Sequence, residues 1–374
     1  MTGGRVARVG AVIALVLSSV VYLETLAGAS NGTSTTRSSV TPLLLARARG
    51  TRTVYVVGSV TCAQSTCLQL YRTGDNDTRY TLVAMPPVSP IPGNATGSLE
   101  RLVFANARDG YALVGAPAPT SLYATTNGAT TWHRVKIPSG DSVYGFTATS
   151  HALYALFAHC TRVNQACDSY RLVHSTLGAT SWSGVSIPVA QFYDGGFVGT
   201  IGAAGGNVWL SEQPPGLPLL LTSHNGGRTF TKSSPSRLGS VSGCNLTAVS
   251  SQRIWAECPT GMMVAFHYSS DAGRGWANIP QKPFFGTGGG FFAPITETFA
   301  YLDYGDAIPN IYRINVPANR ETPVGELACT NVTSAVFVDI LHGLAICVKN
   351  FTHSYLERTD DGGATWQPVS LLGN

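Results

Sequence analysis

The 374-residue chain contains little charge, and the charges that it has are scattered along the sequence. Charged residues make up 12% of the chain, about half of the usual ~25%. The formal net charge is +4, and no run of Lys and Arg marks a phosphate-binding surface. We therefore expect no nucleic-acid partner.

The motifs of several enzyme and cofactor classes are also missing. The eight His residues follow no metal-binding pattern such as His-Glu-x-x-His, and neither a Gly-x-Ser-x-Gly turn nor a Walker-type phosphate loop occurs. No two acidic residues stand out as the pair that a glycosidase needs. The sequence therefore predicts no catalytic residue, no metal and no cofactor.

Sustained helical periodicity is absent as well. Short apolar runs alternate with turns, as in residues 102–104, 107–110 and 111–115, which predict a hairpin. A similar hairpin is expected at residues 335–347. The chain is therefore predicted to be all-β, with no long helical segment in the folded part.

An eight-residue unit recurs six times. It begins with Ser or Thr, usually has Asp or Asn third and a small residue fifth, and ends in an aromatic residue. The hydroxyl and Asx side chains can accept and donate hydrogen bonds within their own turn, and Gly permits a positive φ. The residues assigned to this structural role are Asn127, Asn225, Asp271, Asp361, Trp132, Trp182, Trp276 and Trp366.

The units begin at residues 73, 125, 175, 223, 269 and 359, so the intervals are 52, 50, 48, 46 and 90. The last interval is two steps of 45, which predicts an eroded copy near residue 314. Six visible copies and one eroded copy make seven units of a repeat architecture. Six units are the alternative if residues 270–358 fold irregularly.

The unit resembles the Asp-box, or BNR repeat, of sialidase-like and photosystem II assembly-factor-like β-propellers. The family form is Ser/Thr-x-Asp-x-Gly-x-Thr-Trp, and residues 359–366 match it at every defined position. Residues 175–182 depart most, with Leu177 at the Asx position. The resemblance covers about residues 42–374 and implies a seven-bladed propeller of four-stranded antiparallel blades with Asp-box turns, or a six-bladed one as the alternative.

The N-terminal residues 1–29 are predicted to be a signal peptide or an uncleaved anchor. Arg5 and Arg8 precede the apolar residues 9–23, and Ala27-Gly28-Ala29 is a cleavage-site pattern. Residues 30–41 are a polar linker, and residues 42–374 are the predicted propeller. We expect a secreted, monomeric bacterial protein or one at the outer face of the cell envelope, with membrane contact only if the segment is uncleaved.

The eight Cys residues agree with export, because disulfides persist in oxidising compartments. They form four local couples: Cys62 with Cys67, Cys160 with Cys167, Cys244 with Cys258, and Cys329 with Cys347. Zinc binding is the rival interpretation, but it would require Cys-x-x-Cys or His at ligand spacing. We predict four disulfides.

Family resemblance implies that the functional face lies opposite the Asp-box turns. We expect a non-enzymatic propeller that recognises a glycan or protein partner there. Aromatic residues on loops are candidate contacts, with packing between blades as the alternative role. The candidates are Tyr144, Phe192, Tyr193, Phe284, Phe285, Phe291 and Phe292.

An exo-sialidase-like glycoside hydrolase is the alternative function. The sialidase family implies three arginines that grip a carboxylate, a Tyr nucleophile helped by Glu, and an Asp acid. Arg101, Arg253 and Arg313 are the arginines to compare, beside Tyr301 or Tyr304. We predict that they do not converge at the central axis. The sequence therefore favours a binding protein over an enzyme.

Overall fold

The fold was analysed in a computed structural model. It describes residues 40–62, 65–74, 79–89, 95–115, 120–159, 169–178, 181–187, 200–212, 219–233, 244–260, 263–279, 291–296, 298–303, 309–350 and 353–371. The predicted signal peptide and most of the predicted linker lie outside these residues. Within the described part, no helix is both long and apolar enough to cross a membrane.

In the described part of the chain, twenty-eight strands follow one another, four to a blade. The strands of blades 1 to 4 are β1 Thr41–Arg47, β2 Val54–Cys62, β3 Ser65–Thr73, β4 Tyr80–Val83, β5 Leu99–Phe104, β6 Gly110–Val114, β7 Ser121–Thr125, β8 His133–Arg134, β9 Asp141–Ala148, β10 Ala152–His159, β11 Ser169–Thr176, β12 Ser183–Ser186, β13 Ile201–Ala204, β14 Asn207–Glu212, β15 Leu219–Ser223 and β16 Thr231–Ser233. Those of blades 5 to 7 are β17 Asn245–Ala248, β18 Ile254–Thr260, β19 Met263–Ser269, β20 Ala277–Asn278, β21 Phe291–Pro294, β22 Phe299–Asp303, β23 Asn310–Asn315, β24 Arg320–Glu326, β25 Asn331–Phe337, β26 Gly343–Lys349, β27 His353–Thr359 and β28 Gln367–Val369.

Each set of four consecutive strands forms its own antiparallel sheet. Seven apolar clusters lie between the sheets, one for each pair of neighbours, and the seventh joins blade 7 to blade 1. The sheets therefore close into a ring. The prediction of a seven-bladed all-β propeller is confirmed, and the six-bladed alternative is wrong because blade 6 has four strands of its own.

The first strand of each blade is the innermost. First strands of successive blades contact one another, as β1 does β5 and β25, whereas the fourth strands pair with the third strands of their own blades. A ring built in this way has its central channel lined by the first strands. Residues on β1, β5, β9, β13, β17, β21 and β25 are therefore the ones that can face the axis.

The eight-residue unit forms a turn between the third and fourth strands, here called the repeated turn. In blade 7 the Thr359 hydroxyl donates to Asp361 Oδ1 at 2.8 Å and accepts the Gly363 N–H at 2.8 Å. Asp361 Oδ1 also accepts the Thr365 N–H at 2.9 Å. Gly362 and Gly363 have φ of +74° and +90°, which explains the Gly preference at these positions.

Three other copies repeat this geometry around Asn127, Asn225 and Asp271. The copy at residue 175 does not, because Leu177 offers no side-chain acceptor. There the buried Ser175 Oγ has no hydrogen-bond partner among the described residues. The Asx side chain is thus the part of the unit that satisfies the hydroxyl.

The indole N–H groups of the four tryptophans have two kinds of acceptor. Trp132 and Trp182 donate to Ala84 O and Lys136 O, at 2.8 and 3.0 Å, and both acceptors lie just after the fourth strand of the preceding blade. Trp276 and Trp366 donate to a carbonyl of their own turn at 3.1 Å. The aromatic position therefore fixes the turn whichever acceptor it uses.

Blade 6 lacks the unit, as the spacing predicts. Its third and fourth strands are joined by the turn at residues 316–319, in which Asn319 has a φ of +46°. The Val316 N–H donates to Thr298 O at 3.0 Å, and the Ala318 N–H donates to Asn315 Oδ1 at 3.3 Å. A shorter turn thus replaces the eroded copy without loss of the strands.

The repeated turns and the turns between first and second strands lie on one face of the ring. Backbone hydrogen bonds join the two turns of one blade, for example Gly128 N–H to Arg108 O at 2.8 Å and Gly362 N–H to Leu341 O at 2.7 Å. The connections between second and third strands and the crossings between blades lie on the opposite face. We call these the turn face and the loop face.

Three of the four predicted cysteine couples are disulfides: Cys62–Cys67, Cys244–Cys258 and Cys329–Cys347. The fourth couple, Cys160 and Cys167, lies outside the described residues. Cys244 and Cys258 sit on paired neighbouring strands or directly before them, and Cys329 ties the crossing into blade 7 to β26. The disulfides therefore brace blades and crossings near the loop face.

An aromatic ring on the second strand links most blades to the next one. Tyr55 of blade 1 stacks on Phe104 of blade 2, with ring centroids 3.5 Å apart, and its hydroxyl donates to Ala107 O at 2.9 Å. Tyr301 of blade 6 stacks in the same way on Phe337 of blade 7, at 4.0 Å. These rings combine apolar burial with one directed hydrogen bond.

Candidate functional site

Most of the aromatic candidates on the loop face are outside the described residues: this applies to Phe192, Tyr193, Phe284 and Phe285. Tyr144, on β9, is 36% exposed and packs edge-to-face on Tyr170, with centroids 5.5 Å apart. A ligand can therefore reach Tyr144 in the structure. Its binding role stays a prediction.

Phe291 and Phe292 lie on β21 and have packing partners inside the ring. Phe291 is 8% exposed in the cluster between blades 6 and 7. The Phe292 ring lies 4.7 Å from Phe266 and 5.8 Å from Trp255, between blades 5 and 6. Packing between blades, the alternative role considered for these residues, therefore accounts for both rings.

The three arginines proposed for a sialidase site lie on different elements. The Arg101 guanidinium is over Phe146 on an inner strand, whereas that of Arg253 lies 5.3 Å from the Tyr268 ring. Arg313 is exposed on β23, a third strand, beside Tyr301. Tyr304 lies outside the described residues. These three arginines therefore do not form one carboxylate grip.

A different set of arginines meets at the central channel. Arg49 follows the last residue of β1, in the turn that begins at Ala48, and its Nη1 donates to Ala203 O at 3.3 Å. Ala203 belongs to β13 in blade 4, and blades 1 and 4 are not neighbours in the ring. The side chain of Arg49 must therefore cross the channel at the turn face.

Arg101 enters the same channel from β5. Its guanidinium carbon lies 5.4 Å from the ring centroid of Phe146, which is on β9, the next inner strand. Arg101 is three residues before Phe104, where β5 ends at the turn face, so it lies about 10 Å nearer the loop face at ~3.3 Å per residue. A group that enters from the loop face meets Arg101 first and Arg49 beyond it.

Arg47, at the end of β1, lies at the interface between blades 7 and 1 and is near enough to repel the Arg49 charge. Its Nη1 donates to Phe337 O of blade 7 at 2.9 Å. Its Nε is buried and has no hydrogen-bond partner among the described residues. A buried guanidinium N–H without an acceptor is costly, and an anion would supply the missing acceptor. We call Arg47, Arg49 and Arg101 the channel arginines.

The channel arginines interact electrostatically. Burial, followed by repulsion from Arg101 and Arg47, lowers the pKa of Arg49 to about 10. Burial also lowers the pKa of Arg101, and it lowers the pKa of Arg47 against the opposing effect of Asp339. Arg49 nevertheless stays protonated at neutral pH because its pKa is still about 10. The channel therefore concentrates positive charge in a place with little solvent.

Few acidic groups are available to neutralise this charge. Along the seven inner strands the acidic residues are Glu100 and Asp141. The Glu100 carboxyl packs against Gly115 at the end of β6. Asp141 pairs with Arg171 and lies 3.2 Å from His159 Nδ1. Asp141 is thus paired within blade 3, whereas Glu100 lies against the chain of its own blade 2.

Sequence reasoning missed this site. Arg47 and Arg49 are two residues apart, but Arg101 is more than fifty residues away, so no run of basic residues reveals the group. One signal was present: the sequence around the first turn, residues 46–52, carries three arginines where the other first turns carry fewer. Arg101 was considered from the sequence, but Arg47 and Arg49 were not considered as its partners.

Comparisons with known proteins show the fold alone. A puromycin hydrolase is 11% identical and aligns with a TM-score of 0.62 over 88% of this chain and 53% of its own. A Mycobacterium tuberculosis puromycin-hydrolyzing peptidase is 10% identical and aligns with a TM-score of 0.56 over 90% of this chain and 54% of its own. The chain therefore spans about half the length of these peptidases.

A structure of YCF48 bound to D1 peptide is 12% identical and covers 84% of this chain and 92% of its own, with a TM-score of 0.48. That score is too low to support an argument about function. The sequence matches no protein-family model and no curated protein. The puromycin-hydrolyzing peptidases thus share the propeller fold with this chain, and at these identities the comparisons leave enzymatic activity undecided.

Proposed function

We propose that this protein is an Asp-box propeller that binds, without catalysis, an acidic glycan or an acidic protein segment through its central channel. The observation that carries the proposal is the group of channel arginines. Arg47, Arg49 and Arg101 bring three positive charges together, and of the two acidic residues on the inner strands Asp141 is paired with Arg171. A ligand carboxylate entering from the loop face would neutralise them.

The surroundings support a role in recognition. Tyr144 is exposed on an inner strand and offers an aromatic face to a sugar ring or a peptide side chain. Three disulfides favour an oxidising compartment, so we place the protein outside the cytoplasm, secreted or at the envelope. The partner would then be an extracellular or envelope component.

An exo-sialidase-like hydrolase is the second candidate, because a sialidase also grips a carboxylate with three arginines. Two of the channel arginines, Arg47 and Arg49, differ from the three that the sequence suggested, and both lie toward the turn face. Within the described inner strands, Tyr144 and Asp141 are the residues of the types that a sialidase uses for nucleophile and acid, and Asp141 is bound to Arg171. We therefore rank binding above hydrolysis.

The test compares wild-type protein with Arg49→Gln and Arg101→Gln on a glycan array, with acidic peptides and with a fluorogenic sialoside. Arg134→Gln is the matched control, because Arg134 is exposed on the outer strand β8. Losing a hydrogen bond to a charged group costs about 1.5–3 kcal/mol, so we expect each channel variant to bind at least ~10-fold more weakly.

Thermal unfolding of each variant shows that weaker binding does not come from loss of the fold. The binding proposal fails if both channel variants bind like wild type, or if neutral ligands bind as tightly as acidic ones. Turnover of the sialoside that Arg49→Gln abolishes would instead place the protein among the hydrolases.

A further inference from the structure

The Cys329–Cys347 disulfide has an acidic side chain beside one of its two sulfurs. Glu357 Oε2 lies 3.7 Å from Cys347 Sγ. Both residues are buried: Glu357 is 6% exposed and Cys347 is 0% exposed. A disulfide sulfur has no proton to donate, so a hydrogen bond between these groups requires a protonated carboxyl that donates to sulfur.

The surroundings of Glu357 favour the protonated form. Its strand position faces blade 6, in the cluster that contains Ile311, Val324 and Tyr355. Burial raises the pKa of Glu357, and the titratable side chain that interacts with it in the described part of the chain is Tyr355, two residues earlier on β27. Burial therefore shifts the Glu357 carboxyl toward its protonated form beside a buried sulfur.

The two sulfurs of this disulfide differ in access. Cys329 is half-buried, in the crossing that leads from blade 6 to blade 7, whereas Cys347 is enclosed on β26. Thiol–disulfide exchange begins when a thiolate attacks one sulfur and the other sulfur leaves, and a leaving thiolate in an apolar site is poorly stabilised. Cys329 is the more exposed of the two residues, so we take its sulfur as the one attacked and Cys347 as the leaving sulfur.

We propose that Cys329–Cys347 is a thiol–disulfide exchange site for an external dithiol, and that Glu357 is the acid that protonates the departing Cys347 sulfur. The thiolate of the dithiol bonds to Cys329 Sγ while the Cys329–Cys347 bond breaks. Cys347 takes the bond's electron pair and then the Glu357 proton. The second thiol of the dithiol loses its proton to solvent, attacks the sulfur of its own molecule and releases Cys329.

The net change is the transfer of two electrons and two protons to the protein. The dithiol becomes a disulfide, and Cys329 and Cys347 become thiols, with Glu357 restored by a proton from solvent. In the reverse direction the Glu357 carboxylate accepts the Cys347 proton as that thiol attacks a mixed disulfide at Cys329. Glu357 therefore serves reduction as an acid and oxidation as a base.

The crossing has other attachments that hold without the disulfide. The Leu327 N–H donates to Pro309 O at 3.0 Å, the Thr330 N–H donates to Val348 O at 2.8 Å, and the Tyr355 hydroxyl donates to Ala328 O at 3.0 Å. Reduction would thus free one covalent link of the crossing on the loop face while the backbone contacts remain. This makes reversible exchange compatible with a folded ring.

The test measures the reduction rate of each disulfide in the full chain with dithiothreitol. Free thiols are alkylated at timed intervals and counted by mass spectrometry, from pH 5 to pH 9. We expect dithiothreitol to reduce Cys329–Cys347 about 10-fold more slowly in Glu357→Gln than in wild type at low pH. The ratio of the two rates should approach one as Glu357 ionises in the wild-type protein. Glu357→Asp, which keeps the acid, should lie between them.

The Cys62–Cys67 pair on blade 1 is the control within each molecule, and its rate should be the same in all variants. A monothiol probe, glutathione, should form its mixed disulfide at Cys329. Equal rates for wild type and Glu357→Gln across the pH range would overturn the proposal, as would a mixed disulfide at Cys347. A changed Cys62–Cys67 rate would show altered folding, and Glu357→Asp would then decide.

Discussion

Two interfaces between blades differ in what holds them together. Between blades 6 and 7, Tyr301 stacks on Phe337 and donates to Ile340 O at 2.8 Å. Between blades 7 and 1, where the two ends of the described chain meet, the equivalent positions are different. In blade 7, Leu344 pairs with Arg358 at the register position at which Tyr301 pairs with Arg313 in blade 6. Leu344 therefore occupies the position that the tyrosine has in blade 6.

Arginine replaces the phenylalanine of the same pair. Arg47 pairs with Val54, as Phe104 pairs with Gly110 and Phe337 with Gly343. At the closing interface, a stacked aromatic pair thus becomes a leucine and a buried arginine. The ring gives up a tightly packed pair at the place where it gains one of its channel charges. At this interface, packing that would stabilise the fold is replaced by a charged side chain.

The largest effect is expected at the aromatic interface. Tyr301→Ala removes a fully buried ring and its hydrogen bond, and large-to-small substitutions of this kind cost about 3–5 kcal/mol. Tyr301→Phe keeps the ring and should cost about 1 kcal/mol for the lost hydrogen bond. Urea unfolding followed by circular dichroism measures both values. Equal losses for the two variants would show that the stack contributes little.

An intermediate effect is expected when the aromatic pair is installed at the closing interface. The double variant Arg47→Phe with Leu344→Tyr should unfold at a higher urea concentration, because a stacked pair contributes about 0.5–1.5 kcal/mol beyond burial. It should also bind the acidic ligand more weakly, since one channel charge is gone. Each single variant serves as a control, because Arg47→Phe alone leaves a leucine opposite the new ring and Leu344→Tyr alone leaves an arginine opposite it. A double variant that is less stable than both would contradict the comparison.

A smaller, pH-dependent effect is expected from Asp339 at the closing interface. Burial alone would raise its pKa, but hydrogen bonds from the backbone N–H groups of Leu341 and His342, and from the His342 side chain, lower it to about 2. The unfolded value is about 3.9. Asp339 therefore stabilises the fold above about pH 4, and this contribution is lost as the pH falls from about 4 toward about 2.

Asp339→Asn should remove that part of the pH dependence, as measured by urea unfolding at pH 5 and pH 3. Arg52→Gln is the matched control: Arg52 pairs with Asp339 at 3.0 Å, but its side chain is 53% exposed. An exposed pair of this kind contributes about 0.2–1 kcal/mol, so the control should change stability little at either pH. If the free energy of unfolding falls equally between pH 5 and pH 3 in wild type and in Asp339→Asn, the pH dependence does not come from Asp339.

The fold could be predicted because its signal is local. The repeated turn at Thr359, Asp361 and Gly363 closes its hydrogen bonds within eight residues, so the same letters give the same turn wherever they recur. The spacing then fixes the number of blades, including blade 6, whose turn had lost the pattern. Even the defective copy at Leu177 is recognisable, because only the acceptor of its Ser175 hydroxyl is missing.

The candidate site could not be predicted in this way because its members meet only after the ring closes. Arg101 was considered from the sequence, but it was grouped with Arg253 and Arg313, which point to other rings. Whether a strand residue such as Arg101 faces the axis depends on which strand is innermost. The sequence around an arginine in a turn does not reveal which blade its side chain contacts. Arg49 is informative only once Ala203 stands opposite it.

The hydrogen bond from Arg49 to Ala203 also has a mechanical consequence. Neighbouring blades contact one another around the ring, whereas this bond joins blade 1 directly to blade 4, three places away, across the channel. Blade 4 cannot move outward from blade 1 without lengthening it. A ligand that draws the Arg49 guanidinium away from Ala203 would therefore remove a link across the channel between blades 1 and 4.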